Sequence, residues 1–388
     1  MSDRFQDLPA YAFPRLRALL DAHAPGGPVV PMSIGEPTHP MPPFVGEVLA
    51  ESLEGFAHYP VNEGAPDLLG AIAAWLQRRY GVALPPDRLM ALNGTREGLF
   101  NAVLALCPEP AGERPVVLLP NPFYGAYLAG ALAAGAEPVL LPETAATGHL
   151  PDLRAVPPAI LDRTALAFVA SPSNPQGAVA TRAWWTDALA LAQRHGFRLL
   201  ADECYGEIYR DAPPDGVLAA AQATGADPET ALAFHSLSKR SNLPGLRSGF
   251  VAGGPRAIAA LRALRAYGGA PLPGPLQRVA ARAWADEAHV DASRALYRRK
   301  YALADRALAS LPGYHPPEAG FFLWLPVADG EQAALRLWRE AGVRVLPGAY
   351  LGRDAGRGNP GQGFIRVALV AAPHDVETGL AAIARLAA

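Results

Sequence analysis

Between residues 116 and 252 the chain repeats one pattern: a short, mostly apolar run, a polar cluster, then a helical stretch. The runs are Val116-Val-Leu-Leu, Glu137-Pro-Val-Leu-Leu, residues 165–169, Arg198-Leu-Leu-Ala-Asp202, residues 231–235 and Gly249–Ala252. Helical patterns lie between them, one ending near Ala134 and another across 184–195. Strands that are apolar on both faces and joined by crossover helices form a mostly parallel sheet covered on both sides. In such a sheet a ligand sits at the carboxyl ends of the strands. The polar clusters Asn121-Pro-Phe-Tyr124, Ser171-Pro-Ser-Asn174-Pro-Gln-Gly177, Asp202-Glu-Cys-Tyr205 and Ser236-Leu-Ser-Lys239 all follow a strand directly. Their expected meeting place is one edge of one sheet.

Around this α/β unit the pattern changes. Residues 9–20 begin extended and become an amphipathic helix, and Val29-Val-Pro-Met-Ser-Ile-Gly35 reads as a strand ending in Gly-Glu-Pro. Helices are expected over 43–56 and 68–80, and Asn93-Gly94-Thr95-Arg96 is a turn feeding a helix to about 106. Beyond residue 276 come a long helical stretch (277–311), strands at 320–326, 343–347 and 363–370, and helices at 332–340 and 376–386. A chain of 388 residues exceeds one ordinary core. The expected division is an N-terminal arm with part of a small domain (1–42), a large α/β domain (43–275) and a smaller α+β domain (276–388).

Several function classes drop out. The net charge is −2 and no basic run occurs, which argues against nucleic acid as a partner. No apolar run reaches the ~20 residues that span a bilayer, so no membrane partner is expected. The two cysteines, Cys107 and Cys204, supply neither a disulfide framework nor zinc spacing, so no metal is expected and a reducing cytoplasm is the simpler setting. The first residues lack the basic-then-apolar pattern of a signal peptide.

The stretch from Ser236 to Val251 carries the most specific chemistry. Lys239 follows two serines and precedes Arg247 by eight positions. A lysine amine forms a Schiff base with an aldehyde, while Ser236, Ser238 and Arg247 offer the hydroxyls and fork cation that a phosphate requires. Pyridoxal phosphate needs both at once. The helix start at Gly94-Thr95 offers further N–H groups to a phosphate.

Taken in order, Asn174-Pro-x-Gly, Asp202-x-x-Tyr205, Ser236-x-Ser-Lys239 with Arg247, and Arg366 in the last strand make the chain resemble the fold-type I pyridoxal-phosphate aminotransferases over nearly its whole length. The resemblance implies a three-layer fold with a mostly parallel central sheet, and it implies roles. Lys239 would hold the cofactor and carry the substrate's proton. Asp202 would keep the pyridine nitrogen protonated. Tyr205 and Asn174 would bond the ring's phenolic oxygen. Tyr124 either stacks on the ring or is an ordinary core aromatic. Thr95 and Arg96, through backbone N–H groups, would share the phosphate with Ser236, Ser238 and Arg247. Tyr59 would reach the phosphate of a neighbouring subunit, implying a homodimer. Arg366 would grip the substrate's α-carboxylate with help from the Gly35 N–H. Gln176 departs from the family pattern, in which threonine is more usual.

Further stretches narrow the resemblance to the succinyldiaminopimelate aminotransferases. These are Ile34-Gly-Glu-Pro, Asn93-Gly-Thr-Arg-Glu-Gly-Leu-Phe, Asn121-Pro-Phe-Tyr, Asp202-Glu-Cys-Tyr-x-Glu-Ile-Tyr209, the lysine loop and Gly363-Phe-Ile-Arg-x-Ala-Leu-Val-Ala. Such enzymes act in lysine biosynthesis with glutamate and 2-oxoglutarate as the second pair. A succinyl carboxylate calls for a second cation, for which Arg17, Arg96 and Arg265 are candidates. Aspartate, alanine or aromatic aminotransferases would keep every catalytic residue, and so would a pyridoxal-phosphate β-lyase. An effector-sensing regulator would need a fused DNA-binding module, for which the arm beginning at residue 9 leaves no room.

Overall fold

The computed structural model describes residues 5–8, 10–110, 112–356 and 358–386; residues 1–4 and 9 of the expected arm lie outside them. The seven-stranded sheet comprises β2 (Leu89–Leu92), β3 (Val116–Asn121), β4 (Glu137–Pro142), β5 (Thr164–Ala170), β6 (Arg198–Asp202), β7 (Ala231–Ser236) and β8 (Gly249–Ala252), after a short β1 (Val30–Pro31) elsewhere. Its order is β2-β8-β7-β6-β5-β3-β4, and only β8 runs against the rest. The expected mostly parallel sheet is therefore present.

Every residue of β3 is buried, and successive side chains serve different cores. Val116 and Leu118 pack on one face of the sheet, Val117 and Leu119 on the other, as the two-residue period of a strand requires. The first face is covered by α3 (Pro66–Tyr80), α7 (Arg182–His195) and α8 (Val217–Thr224). The second is covered by α4 (Thr95–Leu106), α5 (Gly125–Ala133) and α10 (Pro255–Gly268). The short helices α1 (Ala12–Leu20), α2 (Val45–Glu51), α6 (Pro158–Leu161) and α9 (Leu237–Arg240) complete the set up to residue 268. The helix expected over 43–56 is shorter: α2 buries no residue, and a 3₁₀ segment, Leu53–Ala57, follows it. Its apolar positions Leu53 and Phe56 remain exposed in the single chain.

The expected helical stretch 277–311 is two helices, α11 (Gly274–Ala285) and α12 (Ala288–Leu308). They belong to different cores. Ala280, Ala283 and Trp284 of α11 pack with Ile72 and Trp75 of α3, on the large sheet. Tyr297, Tyr301, Ala304 and Leu308 of α12 pack in a second core. The expected boundary at 276 thus falls inside α11, whose buried face joins the larger core.

The second core is built on a three-stranded antiparallel sheet of β9 (Phe322–Pro326), β11 (Leu346–Pro347) and β12 (Phe364–Ala368), in the order β11-β12-β9. The run expected as one strand over 343–347 divides: β10 (Val343–Arg344) pairs in parallel with β1, while β11 turns to β12. Helices α13 (Gly330–Ala341) and α14 (Pro373–Leu386) cover this sheet. The arm helix α1 buries Leu16 and Leu20 against Trp338 of α13 and Leu346.

Candidate active site

The loops after β2, β3, β5, β6 and β7 open on one edge of the large sheet. Strand β7 ends at Ser236, whose Oγ accepts from the Ser238 N–H at 3.1 Å and caps the single turn α9. Lys239 leaves that turn half-buried, and its Nζ donates to the carbonyl oxygen of Gly35. The Phe321 ring lies 5.4 Å from Nζ and the Tyr205 ring 5.9 Å away. Burial pulls the lysine down to about 8; Arg366 and Arg247 act in the same sense, while Cys204 and Glu36 oppose it. An amine so placed is a far better nucleophile at neutral pH than a surface lysine.

Beside it is an anion cradle. Gly94, at φ 82°, precedes α4, and a Cβ there would collide with the Arg247 guanidinium, so glycine is what lets the arginine lie against this helix start. Arg247, at φ 55°, donates through Nη1 to the Pro244 carbonyl at 2.8 Å. Ser236 Oγ and Ser238 Oγ are 2.9 Å apart. A Cβ on Gly249 would touch both Thr95 and Ser236 at 3.3–3.5 Å, so the helix start and the serines adjoin. The N–H groups of Thr95 and Arg96 open the first turn, where a helix has no acceptor for them. Two hydroxyls, a guanidinium and a helix start around a half-buried amine fit a molecule that carries both a phosphate and an aldehyde.

Asp202, at the end of β6, accepts from the Tyr127 hydroxyl at 2.6 Å and from the Cys204 N–H at 3.3 Å. Burial and the aspartate push the Tyr127 phenol well up, so it stays a donor. Tyr127 stacks on Phe168 at 4.3 Å and meets Tyr124 edge-on at 5.6 Å. Cys204 lies 3.2 Å from Thr95 Oγ1, and burial with Asp202 beside it keeps it a thiol. Tyr124, at the entry to α5, accepts from Arg96 Nε at 2.6 Å, and the Arg96 side chain is exposed.

Arg366, from the central strand β12, comes from the second core and is 4% exposed. Its Nη1 donates to Asn174 Oδ1 at 3.0 Å and its Nη2 to the Ser33 carbonyl at 2.8 Å, while its buried Nε has no hydrogen-bond partner among the described residues. The guanidinium lies 4.2 Å over the Phe322 ring. Burial lowers Arg366 to about 10, with Tyr205 opposing, so it remains a cation at neutral pH. Tyr205 packs edge-on against Phe321 and Phe322, and burial drives its phenol up.

Of the residues singled out in the sequence, Thr95, Arg96, Tyr124, Asn174, Asp202, Tyr205, Ser236, Ser238, Lys239, Arg247, Gly35 and Arg366 are linked by these contacts. The contact seen at Gly35 is made by its carbonyl, and a Cβ there would strike Phe322 at 2.5 Å. Tyr59 is fully exposed and meets none of them within the chain. Two of the three candidate distal cations stand elsewhere. Arg265 is 2% exposed and donates to the Ala91 carbonyl, beside Glu97, while Arg17 is exposed on α1, which packs on α13. The sequence assigned no role to Tyr127, Cys204, Phe321 or Phe322. Tyr127 had a signal, one helical turn beyond Tyr124; the others had none.

Residues 27–385 match the family described as "Aminotransferase class I and II". An LL-diaminopimelate aminotransferase of Dehalococcoides mccartyi is 32% identical over 397 residues, covering 99% of this chain and 98% of that protein. Among solved structures, an aminotransferase from Neisseria meningitidis superposes with a TM-score of 0.95 at 38% identity, covering all of both chains. A probable N-succinyldiaminopimelate aminotransferase from Thermus thermophilus superposes with a TM-score of 0.85 at 29% identity, covering 97% of this chain and all of that one.

Proposed function

The chain belongs to the class I and II aminotransferases, pyridoxal-phosphate enzymes that move amino groups between amino acids and keto acids, and on that premise we propose a substrate pair. The pair is N-succinyl-LL-2,6-diaminopimelate and 2-oxoglutarate, giving N-succinyl-2-amino-6-oxopimelate and glutamate. The observation that carries this reading is the pair of cations, Arg366 buried against Asn174 and Arg96 exposed against Tyr124. A substrate with a carboxylate at each end has a partner for both: the fork of Arg366 takes the α-carboxylate and Arg96 the distal one. The likeness to an LL-diaminopimelate aminotransferase and to a probable N-succinyldiaminopimelate aminotransferase supports a diaminopimelate skeleton, with unsuccinylated LL-diaminopimelate as the second reading.

When bound, pyridoxal phosphate supplies the electron sink that lets an amino acid lose its α-proton. Lys239 would hold the aldehyde, and its Nζ would take the proton from the substrate's Cα. Asp202, oriented by the Tyr127 hydroxyl, would pair with the pyridine nitrogen. Asn174 and the Tyr205 hydroxyl would bond the phenolic oxygen. Arg247, Ser236, Ser238 and the α4 start would hold the phosphate. Tyr59, fully exposed in the single chain, would complete that shell in a second copy of the chain.

The test is a half-reaction followed by absorbance. N-succinyl-LL-diaminopimelate and glutamate, each alone, shift the band of the bound cofactor, and 2-oxoglutarate restores it. Arg96→Gln raises KM about 10- to 100-fold for the succinyl donor, the worth of one charged hydrogen bond, and spares alanine. Turnover of LL-diaminopimelate but not its succinyl derivative selects the second reading. Turnover of only glutamate and aspartate or tyrosine removes both.

A further inference from the structure

The three residues after Lys239 are each tied to the junction between the two cores. Arg240, 3% exposed, donates to the Ala283 carbonyl at 2.7 Å and to Glu287 Oε1 at 2.8 Å. Ser241 Oγ is 2.8 Å from His289 Nε2, and His289 Nδ1 is 2.6 Å from Asp286 Oδ1. Asn242, at φ 53°, donates to Ser293 Oγ at 3.2 Å. Residues 283–293 are the end of α11, the junction and the first turns of α12. Since α11 packs in the first core and α12 in the second, the lysine loop is fastened where the cores join.

The hydrogen-bond order Asp286–His289–Ser241 is that of a hydrolytic triad, but Ser241 has no exposed surface and cannot meet a substrate. Its geometry serves another end. With Nδ1–H given to Asp286, Nε2 accepts the Ser241 hydroxyl proton, and Ser241 Oγ in turn accepts from Arg240 Nη1 at 3.3 Å. That arrangement gives both ring nitrogens of His289 and the Ser241 hydroxyl a partner, which fixes one rotamer of Ser241 two residues from the lysine.

We propose that His289 is a positioning residue for Lys239, holding the lysine loop through Ser241 so that the aim of the amine depends on the junction between the cores. The inference rests on Lys239 being the cofactor-bearing lysine. It is separate from the substrate assignment.

The experiment is a pH titration of the visible band of the lysine-bound cofactor in the holoenzyme. Ser241→Ala and His289→Phe each move its midpoint in one direction by about half a unit or more, about threefold in equilibrium constant. The double variant moves it no further than the larger single change, and kcat falls more than KM rises. His289→Gln, which offers Ser241 an acceptor, recovers part of the shift. Glu47→Gln, at the same surface near His289 but outside the circuit, leaves the midpoint at the wild-type value. Singles that lower Tm with an unmoved midpoint, or shifts that add in the double, overturn the proposal. Should His289→Phe fail to fold, Ser241→Ala alone carries the same reading. A wild-type protein that develops no band with pyridoxal phosphate overturns the role of Lys239 as well.

Discussion

Replacing Lys239 with methionine should make the cofactor-free protein more stable at neutral pH. The amine titrates near 8 in the fold against 10.5 for a free lysine, chiefly because burial disfavours its charge. Between those values the unfolded chain binds more protons than the folded one, so stability rises with pH across that window. The cost of burying the cation is present in full below pH 8 and fades as pH climbs to 10.5. Integrating the linkage gives about 3 kcal/mol at pH 7, about 2 kcal/mol at pH 9 and about 1 kcal/mol at pH 10. Methionine conserves length and removes the charge, at a pH-independent loss of about 1 kcal/mol for the bond to the Gly35 carbonyl. Urea unfolding of wild type and Lys239→Met, at equal protein concentration and pH 7, 9 and 10, reads the difference directly. The advantage of the variant should shrink by about 2 kcal/mol from pH 7 to pH 10. A difference that stays constant over that range would refute the desolvated amine.

Two further substitutions test the cradle and the carboxylate fork. Gly94→Ala sets a Cβ into the Arg247 guanidinium at a positive φ, and should weaken cofactor retention about 10- to 100-fold in equilibrium dialysis, the worth of one charged contact. Arg366→Lys keeps a cation but not the fork that spans Asn174 and Ser33; KM for the amino donor should rise about 100-fold, while the absorbance of the bound cofactor stays unchanged.

Much of the clustering at the candidate site was legible because the chain places polar residues where strands end. Asp202, Asn174, Tyr124 and Ser236 follow apolar runs directly, and a parallel sheet brings such ends together whatever the loops between them do. The choice among Arg17, Arg96 and Arg265 was not legible. All three are arginines near helices, and only packing shows that Arg265 is buried with a backbone carbonyl as partner while Arg96 reaches Tyr124. The partner of Asp202 was hidden for the same reason: Tyr127 lies 75 residues away in sequence.

Sequence alone determined the alternation of strand and helix, the parallel sheet and the set of residues at its edge, since all follow from local period and from the rule that buried strands are apolar on both faces. Tertiary structure decided the rest. Apolar period reports that a residue is buried, not which core buries it, so the run over 277–311 could not disclose that α11 packs on one sheet and α12 on the other. Nor could it show the strand over 343–347 dividing between two sheets. The hydrogen bonds that fasten Arg240, Ser241 and Asn242 to that junction join residues 43 to 51 positions apart, where only the folded chain sets the distance.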